Sequence, residues 1–218
     1  FRALPAPSGP SGWGVFIREM LPFGLTLALI NSIGVIFFSS GKMLLGYLIE
    51  PAEAAVAVAL YSVASALASV ILALPNSIGT IFMPLMSRLY GKRDFAVMRT
   101  VNENEQSWSL YITIPMDISM MAFPAAMLKA LYGPDYAAAS LTLSILALGI
   151  LVKALSFTLS MVLSAMRLLH LHLRIMIFAG IADVVLNVML IPSYGLAGCA
   201  LATILAFSIT VLMLTYYA

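Results

Sequence analysis

The chain has 218 residues, 62% hydrophobic and only 9% charged, with a mean hydropathy of +1.06. So few charges cannot cover the surface of a soluble globule, a disordered chain would be poor in apolar residues, and the single cysteine, Cys199, excludes a disulfide scaffold. An integral membrane protein remains, and its elements follow from where the 11 basic and 9 acidic side chains fall.

Residues 1–16, with Pro5, Pro7 and Pro10 among glycines and serines, read as a flexible linker. The start at Phe1 adds the expectation of a fragment that carries one lobe of a longer protein. Residues 17–218 hold six charge-poor windows of the length a bilayer demands, about 20 residues each. The first is 20–41, with apolar character resuming to Leu48, and the second is the long stretch 54–87, which Pro75 and Pro84 are expected to kink. The third is 106–128, interrupted by Asp117, and the fourth is 136–166, interrupted by Lys153. The fifth is 175–191, with Asp183 inside, and the sixth is 196–217 after the turn Pro192-Ser193-Tyr194-Gly195. A β-barrel is excluded, because its strands alternate in polarity and these windows are apolar all round. The fold class is therefore an all-α membrane protein with six transmembrane helices.

Eight of the basic residues lie in alternate connections: Arg2 and Arg18, then Arg88, Lys92, Arg93 and Arg99, then Arg167 and Arg174. The opposite connections have only Lys129 at their edge. This asymmetry places both termini in the cytoplasm of a multi-pass protein of the cytoplasmic membrane. The polar stretch 88–106 reads either as a surface-lying amphipathic helix or as a solvated loop. Its basic residues suit anionic lipid headgroups and not nucleic acid.

Several motifs recur in one order. Lys42-Met43-Leu44-Leu45-Gly46-Tyr47 closes the first span, and Tyr132-Gly133-Pro134-Asp135-Tyr136 follows the third. Ile191-Pro192-Ser193-Tyr194-Gly195 with Gly198 joins the last two. In this order the chain resembles the C-terminal lobe of Wzx-like (O-antigen) polysaccharide flippases, a branch of the multidrug/oligosaccharidyl-lipid/polysaccharide exporter superfamily, over about residues 17–217. The resemblance implies two six-helix lobes around a central cavity, of which this chain supplies one and lacks the N-terminal partner. It implies flipping of a polyprenyl-pyrophosphate-linked oligosaccharide across the membrane by rocking of the lobes, with no cofactor and with sodium or proton coupling open. A drug/cation antiporter of the same superfamily is the alternative. No phosphate-binding glycine loop, zinc spacing or nucleophile–histidine pairing supports an enzyme.

Lys153, mid-span, reads as a cavity cation for the pyrophosphate, or as a structural partner of Asp117 or Asp183. Asp117 reads as a proton or ion relay, or as a buried acid paired with Lys153 or kept neutral. Arg18, at the mouth of the first span, is a diphosphate contact or a topology anchor. Asp183 and Asn187 share a helix face, and with Thr203 they resemble the sodium site of the related lipid II flippases, Asp and Asn being swapped. The family's acid before Leu44-Leu45-Gly46 is replaced here by Gly41-Lys42. Lys42 either pairs with Asp183 in the cation's place or snorkels outward. Asn31 and Asn76 are expected in interhelical hydrogen bonds. His170 and His172 have no third ligand near in sequence, so no metal is expected there.

Overall fold

The structure, a computed structural model, describes residues 10–166 and 168–217. Arg2, Arg167 and the first part of the linker lie outside the described residues. Helix α1 spans Pro10–Leu48, so the second half of the stretch read as linker is helical. Pro10 opens α1 without cost, because the first N–H groups of a helix have no partner inside it. Helix α2, Pro51–Ser69, follows a two-residue turn, with Pro51 in its first turn.

The long second window breaks where its proline dictates. A 3-10 turn, Val70–Leu72, separates α2 from α3, Ala73–Lys92. Pro75 has no N–H for the carbonyl of Ile71, and its ring crowds that carbonyl, so the α-ladder tightens there. Together the 42 residues Pro51–Lys92 form one apolar body.

The polar connection differs from both sequence expectations. It is neither a separate surface helix nor a loop, because α3 runs to Lys92 and α4, Phe95–Ala122, begins three residues later. Arg93 closes α3 in the left-handed conformation (φ 58°), and the Asp94 carboxylate accepts from the Val97 N–H at 3.2 Å to start α4. Two strong caps make a turn this short sufficient. Arg99 and Glu103 then pair at 2.8 Å on the solvent side of α4. Removing the cap, Asp94→Ala, is expected to cost about 1 kcal/mol, read as a lowered Tm.

The third span ends earlier than hydropathy suggests. At Phe123 (φ −127°, ψ 41°) the chain bends by 85° into α5, Pro124–Tyr132. Pro124 disfavours the helical region for Phe123, which fixes the break. A 3-10 stretch, Pro134–Ala139, leads into α6, Ser140–Ala165.

Helix α7, Leu169–Tyr217, is two helices joined at Gly195 (φ 55°, ψ −129°). They fold back on each other: the Leu190 carbonyl is pressed against Gly198, so that a Cβ there would lie 2.7 Å from the carbonyl carbon. In a straight helix those residues would stand about 12 Å apart. Four bodies are long and apolar enough to span, the bent pair α4–α5 makes a fifth, and the hairpin in α7 makes six crossings.

The buried side chains stratify along this bundle. Leu45, Leu128, Leu143, Ile191 and Cys199 form the core at the end of the Gly195 turn. Phe37, Ala179, Ala206 and Phe207 fill the middle. Met86, Leu89, Met98 and Ala165 close the other end, beside Leu163, Ile175 and Leu214. That end carries the α3–α4 turn with its exposed basic residues.

Candidate functional site

Helices α1, α3, α6 and α7 line an open-sided cavity of about 650 Å³. Its walls follow from one face of α6. Lys153, Ser156, Ser160 and Ser164 recur at three- and four-residue steps, so they project from one stripe of that helix. Each serine hydroxyl donates to the carbonyl one turn back, Ser156 to Lys153 at 2.7 Å and Ser160 and Ser164 at 2.8 Å. That leaves their oxygens as acceptors toward the cavity. Opposite stand Asn31 and Ser39 of α1, Asn76 of α3, and His172 and Thr210 of α7. The remaining lining is apolar, with Leu27, Ile30, Met83, Met161 and Met176 among it.

The Lys153 ammonium lies over the Phe207 ring, 4.9 Å from its centroid. Phe207 in turn stacks on Phe37 at 5.3 Å and 14°. An ammonium held on an aromatic face in a partly desolvated site is stabilised by about 2 kcal/mol, against a burial cost of about 2.5–3.5 kcal/mol at mid-membrane depth.

Behind the Phe37–Phe207 stack is a second, much smaller space of about 10 Å³, lined by Gly41, Tyr61, Ser65 and Thr203 and sharing both phenylalanines with the large cavity. The candidate cation residues gather beside it. Ser40 Oγ lies 2.6 Å from Asp183 Oδ2 and 2.7 Å from the Phe37 carbonyl. The Asn187 amide donates to the Asp183 carbonyl at 2.8 Å. Tyr61 and Thr203 share a hydrogen bond of 3.2 Å between their hydroxyls, and Thr203 also donates to the Cys199 carbonyl at 3.0 Å. Asp183 and Asn187 are 1% and 0% exposed, yet Asp183 Oδ1 and Asn187 Oδ1 have no hydrogen-bond partner. Two buried oxygens left without donors are what a hard cation requires.

Gly41 settles how the departure from the family motif is accommodated. A Cβ at Gly41 would meet Cys199 Sγ at 2.6 Å, Tyr61 Oη at 3.5 Å and Asn187 Oδ1 at 3.6 Å. Position 41 thus faces the cluster and has no room for an acid, while Ser40 supplies the hydroxyl that reaches Asp183. Lys42 follows on the half-exposed side of α1.

Of the sequence candidates, the structure brings Asp183, Asn187 and Thr203 together and places Lys153 in the cavity wall. Arg18 is exposed on α1, outside the lining. Asp117 is buried on α4, which contributes nothing to the cavity, and both of its oxygens lack a hydrogen-bond partner. Asp117 is therefore not the partner of Lys153, and Asp183 takes its hydrogen bond from Ser40. Asn31 and Asn76 line the cavity rather than joining helices. The serine ladder, Tyr61, Ser40 and His172 were missed by sequence reading. The i, i+4 serines after Lys153 were the available signal.

The MatE family model matches residues 31–189. The "Probable low-salt glycan biosynthesis flippase Agl15" of Haloferax volcanii is 22% identical over 87% of this chain and 40% of its own length. An uncharacterized membrane protein of Methanocaldococcus jannaschii is 25% identical over 61% of this chain and 26% of its own. The chain thus spans less than half the length of these relatives. A crystal structure described as MATE in the bent conformation superposes with a TM-score of 0.68 at 19% identity, over 88% of this chain and 43% of the other.

Proposed function

The chain belongs to the MatE family of transporters, and from that premise we propose that it is one lobe of a flippase that moves a polyprenyl-pyrophosphate-linked oligosaccharide across the cytoplasmic membrane, both termini being cytoplasmic. The observation that carries this reading is the cavity itself. A single ammonium, Lys153, is set among serine and asparagine oxygens and amides, with apolar side chains around them. A diphosphate finds its counter-charge at Lys153, sugar hydroxyls find partners along the Ser156–Ser160–Ser164 stripe, and the lipid chain finds the apolar walls. The similarity to a glycan-biosynthesis flippase supports the same substrate class.

A second lobe would close the cavity across α1 and α3. Apolar side chains on α1, including Leu25, Leu29, Val35 and Ile36, are exposed and offer a surface to lipid or to that lobe. Sodium held by Asp183, Asn187 and Thr203 would neutralise the buried carboxylate. Because the Phe37–Phe207 stack borders both spaces, a change in that cluster would be felt beneath Lys153.

The test uses the full-length protein in liposomes that contain lipid-linked oligosaccharide, with translocation read as the fraction accessible to an added glycosidase. Translocation above protein-free liposomes is expected, and none overturns the reading. Sodium at a hundred times its dissociation constant is expected to add about 2.7 kcal/mol of stability, read as a raised Tm. Asp183→Asn abolishes that response. An equal rise in the variant removes the cluster from the ion's path.

A further inference from the structure

The large cavity has two polar levels, one around Lys153 and one nearer the end of the bundle with the basic turn. Three contacts fix how α1 lies along the first arm of α7. Ser40 meets Asp183 at 2.6 Å. The Phe37 ring comes within 3.8 Å of where a Cβ on Gly180 would be, and the Met176 methyl within 3.9 Å of where one on Gly34 would be. Each step is three residues on α1 and three or four on α7, so the next step brings Asn31 level with His172. Both line the cavity, and so does Ser164 of α6. Leu163, beside Ser164, packs in one cluster with Leu171, beside His172, which puts all three polar residues at one level. Ser164 is eleven residues beyond Lys153, about 16 Å along α6.

Two copies of one sequence pattern build these levels. Asn31-Ser32-Ile33-Gly34 recurs as Asn76-Ser77-Ile78-Gly79. In both copies the asparagine lines the cavity, and the glycine three residues on receives the end of a cavity methionine, Met176 at Gly34 and Met161 at Gly79. A side chain at position 79 would collide with Met161 and with the Phe157 ring, 2.8 Å away. The methionine therefore lies against the helix and leaves the asparagine one turn away uncovered. Helices α3 and α6 both run toward the cluster of Met86, Leu89 and Ala165, so Asn76 lies on the Lys153 side of Met161. Helix α1 runs the other way, so Asn31 lies beyond Met176, toward the basic turn.

Hydrogen-bond donors decide what each level can hold. Ser156, Ser160, Ser164 and Thr210 spend their protons on carbonyls of their own helices, which leaves them as acceptors only. A sugar both gives and takes hydrogen bonds, so it also needs donors from the wall. The Asn31 amide and the His172 imidazole supply them. Among the described residues neither side chain has a hydrogen-bond partner, although His172 is only 8% exposed. Lys153 is the one formally charged side chain among the described lining residues, so a charged group at the Asn31 level would find no counter-charge in the wall.

We propose that Asn31, His172 and Ser164 form a sugar subsite, which holds an uncharged, hydroxyl-rich sugar of the glycan while the diphosphate is at Lys153. Two donors and one acceptor reach the sugar from three different helices, and Met176 offers its apolar side chain to the ring face. The subsite rests on the flippase reading, which supplies a ligand long enough to occupy both levels at once.

The test is calorimetric titration of the full-length protein in detergent with two soluble probes, farnesyl diphosphate and farnesyl diphosphate bearing a neutral trisaccharide. The trisaccharide is expected to tighten binding roughly tenfold, the size of one or two neutral hydrogen bonds. Asn31→Ala, at an exposed position, is expected to bring the ratio of the two affinities close to one, and His172→Phe to do the same. Lys153→Met is expected to weaken both probes and to keep the ratio. If His172→Phe fails to fold, Asn31→Ala decides. A ratio unchanged in Asn31→Ala, or a trisaccharide that adds nothing in the wild type, overturns the subsite and leaves the flippase reading standing. Failure of both probes to bind overturns the flippase reading and the subsite with it. A structural role for His172 would lower Tm and weaken both probes alike.

Discussion

Lys153→Met is expected to lower translocation of lipid-linked oligosaccharide by roughly ten- to a hundredfold while leaving the protein as stable as before, or slightly more so. The first part follows from the loss of a charge-assisted contact to the diphosphate, worth about 1.5–3 kcal/mol. The second follows from the opposing terms at the site. The ammonium is penalised by about 2.5–3.5 kcal/mol at this depth, and the Phe207 ring returns about 2 kcal/mol of that. Methionine keeps the length and removes the penalty. Lys153→Arg preserves the charge and is expected to retain most of the activity. Leaflet accessibility and Tm are measured together. Unimpaired translocation in Lys153→Met rejects the cavity-cation role, and loss of activity only in step with a fallen Tm assigns Lys153 to structure instead.

Gly198→Val is expected to be the most destabilising single change in the chain. A Cβ at this position would overlap the Leu190 carbonyl, 2.7 Å from its carbon, with Tyr194 Cβ at 3.1 Å. Both neighbours belong to helix backbone or its first carbon and cannot swing aside. Overpacking of a core costs about 1–3 kcal/mol or more, and here the only relief is for the two arms of α7 to splay. That would withdraw Thr203 from Tyr61 and expose Cys199, which is buried at 0%. Because Cys199 is the only cysteine, its labelling by a membrane-permeant maleimide reports the splaying directly. Slow labelling in the wild type and fast labelling with a lowered Tm in Gly198→Val are expected. An unchanged labelling rate shows that the hairpin tolerates a side chain there.

Much of this was legible in the sequence, since hydropathy and charge spacing are local quantities. The windows around Lys153 and Asp183 fall where the helices are, and Pro192-Ser193-Tyr194-Gly195 marks the reversal in α7. Pro75 announces the break four residues before it, because a missing N–H acts on its own helix. The stretch 88–106 was misread because its polarity suggested solvent, while its caps, Arg93 and Asp94, are only two residues. Polarity does not distinguish an exposed helix end from Glu105, which is polar and buried.

The sequence by itself determined the all-helical membrane environment and the placing of Asp183 and Asn187 on one helix face. These depend on periods within a helix and on the free energy of moving apolar or charged groups between water and lipid. Only the tertiary structure decided that Gly41 faces Asn187, that Lys153 sits on Phe207 apart from Asp117, and that α6 divides its polar residues between two faces. The serines line the cavity on one face, and Thr158 meets Glu105 on the other. Those facts depend on which helices pack together and at what rotation. Ridge-and-groove contacts between distant segments set that rotation, and no period in a single segment records it.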